Sequence, residues 1–287
     1  MTNNSSRFIA DAIWHQRHEL ARVRPATRAL HDALRAYMPP DHPGDLPFHE
    51  WGQLMAAALE FAPDLIVEVG RGFGNSTLTF TQAANLLKCD VVSICLHPFG
   101  ESYAAVLPAT TNEWFAPLSV YEGDVREFNF EKALGNAQRV LVFWDAHGFD
   151  VAECMLGGLM PLVADRQHLV LMHDIGDARH QDAESYNGFG VWKGEELWPG
   201  PMIRLGHVFA TVQQAVSIVD FTSRNRISLH SVAHSLHTRF AACPNDAREL
   251  RDVLGNFFEM RSLLAWFTLN ESAGPYFFPR FNASLAA

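Results

Sequence analysis

The sequence predicts an α/β protein: a doubly wound, mostly parallel sheet with helices on both faces and helical additions at its N- and C-terminal ends. Three observations carry this. Short apolar runs alternate with helix-periodic segments between Leu65 and Met172. A glycine-rich turn, Gly70-Arg71-Gly72-Phe73-Gly74, follows the first run and opens a helix. Two acids, Asp145 and Asp174, stand just past later runs, where open α/β sheets place their ligand sites.

The bulk properties fit that frame. The chain has 287 residues and is 48% hydrophobic, enough for one large core or one core with a smaller cap. Its formal net charge is -10, with no long basic run. That field repels polyanions and argues against nucleic acid as a partner. No charge-free run reaches the ~18 apolar residues of a membrane span, so no membrane partner is expected. Met1 to Arg7 is polar and lacks a signal-peptide core. The four cysteines, Cys89, Cys95, Cys154 and Cys243, form no CxxC pair, which argues against a zinc ribbon or a thioredoxin-like motif. Their wide spacing in apolar surroundings predicts reduced, buried thiols and a cytoplasmic chain.

Taken in order, the elements justify the class. Phe8 to Tyr37 is helix-periodic, and Pro25 is expected to divide it. Pro39 to Asp45 is a breaker. Trp51, Leu54, Met55, Ala58 and Leu59 then form one apolar helical stripe that ends before Pro63. Leu65–Val69, Val91–Leu96, Leu118–Tyr121, Val140–Trp144 and His168–Met172 read as strands, and 76–87 and 151–162 as helices. Gly176 to Gly200 is a long polar and aromatic segment holding Tyr186, Trp192 and Trp198, and a structureless loop of that length is usually either functional or wrongly assigned. These aromatics suit a lid or substrate wall, or a loop pinned by its own apolar residues. Two further β-like runs, His207–Val212 and Ala215–Phe221, are expected, then a helix from Asp246 to Phe267 capped by Asn245. The expected divisions are a helical extension over 1–49, the α/β domain over 50–240, and a C-terminal helix and tail over 241–287.

The glycine turn carries the first chemistry. Glycines admit a tight turn and a close ligand approach, and the helix N-terminus offers free N–H groups to an anion. Glu68, two residues before Gly70, could accept from a ligand ammonium or hydroxyl. Dinucleotide loops instead favour G-x-G-x-x-G with the acid at the end of the next strand, which disfavours a nicotinamide oxidoreductase. A plain βα turn without a ligand is the alternative.

These residues resemble the class I S-adenosylmethionine (SAM) methyltransferases, and within them the metal-dependent O-methyltransferases: catechol and macrocin O-methyltransferases and the cephalosporin-hydroxylase-like proteins. The resemblance runs from Glu50 to Ile175, through the lead-in Trp51-Gly52-Gln53-Leu54-Met55 and the loop Val67 to Thr77. It implies a Rossmann-like sheet with SAM as cofactor. Gly70, Gly72 and Gly74 would line the methionine part, and Ser76 would sit near its carboxylate. Gly123-Asp124-Val125 resembles the motif whose acid lies beside the adenine. Trp144 to Gly148 and Met172 to Ile175 resemble the two motifs that end the later strands. One departure is plain: Cys95 stands where the family carries the acid that holds the ribose hydroxyls. Glu101 or His97 could substitute, the ribose could be held more weakly, or the ligand is not SAM.

Asp145 and Asp174 should face one crevice, and two carboxylates with an imidazole can hold Mg²⁺ or Mn²⁺. By resemblance the metal set is Asp145, Asp174 and His173, a softer ion being favoured if His173 ligates. The expected chemistry is metal-assisted methyl transfer to a small hydroxylated molecule, with His147 as general base beside Asp145. The bland readings are helix-capping acids, His173 as a hydrogen-bonding support, and His147 as an ordinary loop histidine. His230, His234 and His237 have helical spacing but no accompanying acid, so a surface or pocket wall is preferred over a metal face. Arg224 and Arg226 suit a carboxylate or phosphate, or plain solvent. A small-molecule substrate is the expected partner, with homo-oligomerisation left open. A non-catalytic or repurposed SAM-fold binding protein is the alternative, and Cys95 is its main support.

Overall fold

The computed structural model describes residues 6–39, 46–177, 190–192, 203–205 and 209–281. Two helices come first, α1 (Phe8–His15) and α2 (Arg17–Tyr37). The break falls at Gln16, and Pro25 lies inside α2, contrary to expectation. Leu20, Val23, Thr27, Leu30 and Leu34 are buried on both sides of Pro25, so packing of one face outweighs the proline's lost hydrogen bond. Next, α3 (Phe48–Phe61) is buried along almost its whole length.

Strands and helices then alternate: β1 (Leu65–Val69), α4 (Asn75–Leu87), β2 (Asp90–Cys95), α5 (Gly100–Val106), β3 (Leu118–Glu122), α6 (Phe130–Leu134), β4 (Arg139–Trp144), α7 (Phe149–Glu153), a π-helical turn over Cys154–Leu159, α8 (Met160–Val163) and β5 (Gln167–Met172). All five expected strands are present. Two strands form later, β9 (His230–Ser231) and β10 (Ala265–Phe267). The seven-stranded order is β3-β2-β1-β4-β5-β10-β9. Pairings among β1 to β5 are parallel, while β10 runs antiparallel to β5 and β9. The order reverses between β1 and β4, so the Gly70–Gly74 loop stands at the topological switch.

Side-chain alternation along the strands fills two cores, one on each face. Ile66, Leu141, Phe143, Leu169 and Leu171 pack under α1 to α4. Val67, Val69, Val140, Val142, Val170 and Met172 pack on the other face against residues of α6 to α9. This doubly wound, Rossmann-like arrangement is the predicted class.

The chain beyond Asp174 departs most from expectation. Ile175–Asp177 (β6), Gly190–Trp192 (β7) and Ile203–Leu205 (β8) form a small antiparallel sheet of order β6-β8-β7. Tyr186 and Trp198 lie outside the described residues, and Trp192 falls in β7. The two β-like runs are one helix, α9 (Phe209–Asn225). Its buried stripe, Thr211, Gln214, Ala215, Ile218 and Thr222, has helical spacing but is largely polar. Next come α10 (Val232–Ala242) and α11 (Pro244–Leu254); α11 starts after Cys243 without a side-chain cap, and Asn245 lies inside it. The expected helix to Phe267 stops at Leu254, because Gly255 adopts positive φ there, and 265–267 is strand β10. His230 lies in β9, paired with Glu271 at 2.6 Å and stacked on Trp266, so the histidine trio shares no helical face. Arg224 pairs with Asp220 on the surface of α9.

No helix among the described residues is long and apolar enough to cross a membrane. The four cysteines are free thiols, but only Cys89 and Cys154 are buried; Cys95 and Cys243 are half-buried, against expectation. Burial pushes the Cys89 thiol up to about 11 and that of Cys154 to about 12.

Candidate active site

A cleft of about 980 Å³ opens beyond the carboxyl ends of β1 to β5. Gly70 and Gly72 line it from β1, Cys95 and His97 from β2, Asp124 and Val125 from β3, Asp145 and His147 from β4, and His173 and Asp174 from β5. Gly70 has φ +93, and a Cβ there would stand 2.4 Å from the carbonyl carbon of Asp145. Only glycine lets the two loops touch. The Asp145 N–H donates to the Val69 carbonyl at 2.7 Å and locks that contact.

Three expected cofactor contacts lie away from the cleft. Glu68 shares a strand face with Ile66, so it points towards α4 and is 0% exposed. Its carboxylate accepts from Ser76 at 2.5 Å, from Thr77 at 2.6 Å, and from Ser93. Burial raises the Glu68 carboxyl above its ordinary range, and these hydroxyls oppose the rise. Glu68 and Ser76 therefore form a buried support beneath the loop. Gly74 faces Phe99, where a Cβ would stand 2.8 Å from the ring. Asp124 does line the cleft, but the Arg126 guanidinium holds its carboxylate through Nε at 3.0 Å and Nη2 at 2.5 Å. Those bonds hold its carboxyl below the usual range. At the end of β2, Cys95 offers a half-buried thiol that accepts the His97 N–H at 3.4 Å. Glu101 instead accepts from Tyr37 at 2.5 Å on the surface.

At the β4–β5 end, Asp145, His147 and Asp174 each present a ligand atom, all within 4.8 Å of one another. His147 Nε2 lies 3.2 Å from Asp174 Oδ2 and 3.9 Å from Asp145 Oδ1, while its Nδ1 lies 3.0 Å from Gln214 Oε1. Asp174 has φ +62, a left-handed turn that brings its carboxylate round to His147. The third donor of the convergent set is thus His147, and His173 stands beside that set, against the same two acids. Its Nδ1 lies 3.2 Å from Asp145 Oδ1 and its Nε2 3.2 Å from Glu50 Oε2. Burial alone would lower the His173 and His147 values. Asp145 and Asp174 outweigh it, raising both and His173 strongly. Burial raises the Asp145 carboxyl, and His173 opposes that rise.

Sequence reasoning missed Glu50 and Gln214. Glu50 lies four residues before Leu54, hence on the edge of the apolar stripe of α3, a weak signal for a buried acid. Gln214 fell between two runs read as strands and was assigned no place.

In sequence, neither a protein-family model nor a curated protein matches the chain. Parts of solved structures match it at low identity, with TM-scores below 0.5. The O-methyltransferase TomG from Streptomyces achromogenes, involved in tomaymycin synthesis and in complex with SAM, is 18% identical with a TM-score of 0.38 over 52% of this chain. The chain spans only 65% of TomG's length. A putative O-methyltransferase from Klebsiella pneumoniae is 14% identical with a TM-score of 0.43, over 71% of this chain and 81% of that one. The SAH-bound methyltransferase PaMTH1 of Podospora anserina is 14% identical with a TM-score of 0.41, over 84% and 87%.

Proposed function

We propose that the chain is a SAM-dependent O-methyltransferase acting on a small hydroxylated molecule with the help of a divalent cation. The observation that carries this reading is the convergence of Asp145, His147 and Asp174 at one end of a cleft that starts at Gly70 and Gly72.

The donor set suits a cation. With its Nδ1 against Gln214, His147 turns Nε2 towards an Asp174 oxygen 3.2 Å away, and the surrounding carboxylates favour a proton there. A cation would take that proton's place, and two carboxylates with one imidazole suit Mn²⁺ better than Mg²⁺. The cofactor fits in part. Gly70 and Gly72 would take its methionine end, Cys95 and His97 the ribose, and Asp124 the adenine edge. When bound, SAM supplies an electrophilic methyl group and the cation makes an acceptor hydroxyl more acidic. The chain's residues align the two partners and exclude water. His147 Nε2 can ligate or accept a proton, not both at once, since Gln214 engages Nδ1. Ligation uses both neighbouring carboxylates and is the role assigned to it in place of general base.

The test is methyl transfer to a panel of catechols and other small hydroxylated acceptors, with and without EDTA, beside calorimetry with SAM and NADH. Binding of SAM alone, and transfer lost to EDTA and restored by Mn²⁺, are expected. Failure to bind SAM overturns the reading. A second reading, a non-catalytic binding protein on this fold, draws on Cys95, since a thiol cannot take two strong hydrogen bonds from a ribose as a carboxylate does. Ligand binding without transfer to any acceptor would favour it.

A further inference from the structure

We infer that Arg71 is a positioning residue for the nucleoside half of the ligand: it fixes the turn after β2 that the ribose meets. The inference rests on the SAM reading above. Arg71 stands between Gly70 and Gly72, which line the cleft, yet its own side chain is 2% exposed and lies beneath the lining. Its guanidinium ties three strand ends together. Nη1 donates to the Ser93 carbonyl at 3.1 Å and to Ser93 Oγ at 2.8 Å. Nη2 donates to the His97 carbonyl at 2.8 Å and comes within 3.5 Å of the Tyr121 carbonyl. One planar group from the loop after β1 thus holds the ends of β2 and β3.

The fork brackets Cys95. Ser93 stands two residues before it and His97 two residues after, and both accept from the guanidinium. Cys95 and His97 themselves line the cleft. The far side of the turn is tied as well, where the Phe99 N–H donates to Glu122 at 2.9 Å. A thiol at position 95 is only a weak acceptor for a ribose hydroxyl, so no strong contact there orders the turn as the ligand arrives. Affinity then depends on a turn already in place, because an ordered site avoids the cost of ordering on binding. A guanidinium presents its donors in one rigid plane, so the carbonyls it joins are fixed relative to one another.

Stability is a poor explanation for this arrangement. A buried guanidinium loses hydration that its bonds only partly offset. Here Nε is buried with no hydrogen-bond partner among the described residues. The nearest balancing charge is Glu68, reached through Ser93 Oγ, which donates to that carboxylate. What the fork supplies is geometry, and a lysine cannot reproduce it, because an ammonium is a point charge without a plane.

S-adenosylhomocysteine (SAH) and its 2′- and 3′-deoxy analogues are titrated by calorimetry into the full chain, for wild type, R71K and R71M, and melting temperature checks the fold. R71K keeps a cation at the site without the fork, and it covers the case in which R71M does not fold. Affinity for SAH is expected to fall about 10- to 100-fold in both variants, the scale that a shift of about 1 Å in a positioning contact can cost. The fall should be clearly smaller for at least one analogue, the one lacking the hydroxyl that the turn places. A general loosening of the fold would weaken all three ligands alike. Equal losses for the three, wild-type affinity in a folded variant, or a chain that folds with neither substitution overturns the role of Arg71 alone. A wild type that binds neither SAM nor SAH overturns it together with the SAM reading.

Discussion

Nε2 of His147 lies 3.2 Å from Oδ2 of Asp174, and the two residues come from loops that follow neighbouring parallel strands. What aims that nitrogen is Gln214, a fully buried residue of α9 whose Oε1 lies 3.0 Å from Nδ1. Gln214→Leu should leave the ring free to turn. Mn²⁺ affinity measured by calorimetry is expected to fall about 10- to 100-fold, as for other outer partners of metal-binding histidines. A folded variant with wild-type affinity would show that Gln214 does not orient the ring.

Gly72 lines the cleft at φ +50, and Cys95 faces it from the end of β2. Gly72→Val puts a β-branched side chain into a strained conformation where the ligand should approach. Loss of SAM binding is expected, with a far-ultraviolet circular dichroism spectrum near that of wild type. Cys95→Asp supplies an acceptor for the ribose and should tighten SAM by about 1 kcal/mol. If affinity is unchanged, the ribose lies elsewhere in the cleft.

Glu68 separates a supporting role from a cofactor-binding one. Its carboxylate satisfies hydroxyls of Ser76, Thr77 and Ser93, all buried. Glu68→Ala leaves them without their acceptor and should lower unfolding free energy by about 2–4 kcal/mol, read from urea titration. Wild-type stability with lost SAM binding would instead make Glu68 a direct contact.

His168 is expected to impose an acid limit on stability. Its Nε2 accepts the Leu269 N–H at 2.9 Å, so that nitrogen carries no proton, while Nδ1 donates to the Arg166 carbonyl at 3.0 Å. Burial lowers its value below 6.5. A lowered folded value means that the unfolded chain takes up the proton first. The contribution is therefore present above about pH 6.5 and is lost as pH falls through the folded value. Urea midpoints between pH 8 and 5 should fall more steeply for wild type than for His168→Gln. Parallel curves would remove His168 as the cause.

Sequence periodicity made β1, β2, β4 and β5 legible because their apolar residues fill both cores, β3 showed as a β-rich run although none of its residues is buried, and the two turn acids Asp145 and Asp174 were visible as strand-end residues. The rest was hidden for definite reasons. Helix α9 buries Thr211, Gln214 and Thr222, so a search for apolar periodicity found only its Val, Ile and Phe and read strand. Glu50 meets His173 across 123 residues, a pairing that no local spacing encodes. His173 and Asp174 are neighbours with different partners, Glu50 for one and His147 for the other, and the left-handed backbone at Asp174 that divides them is a conformation that no local pattern announces.

The place of β10 bears on how the chain reaches this state. It follows β9 in sequence yet lies between β9 and β5 in the sheet. On a ribosome, β1 to β5 can assemble from contiguous βα units as they emerge. The His230–Ser231 strand has no edge to dock on until 265–267 has been made and has paired with β5. Closure of that side of the sheet is therefore a late, long-range event, and until then β5 offers an open edge to other chains.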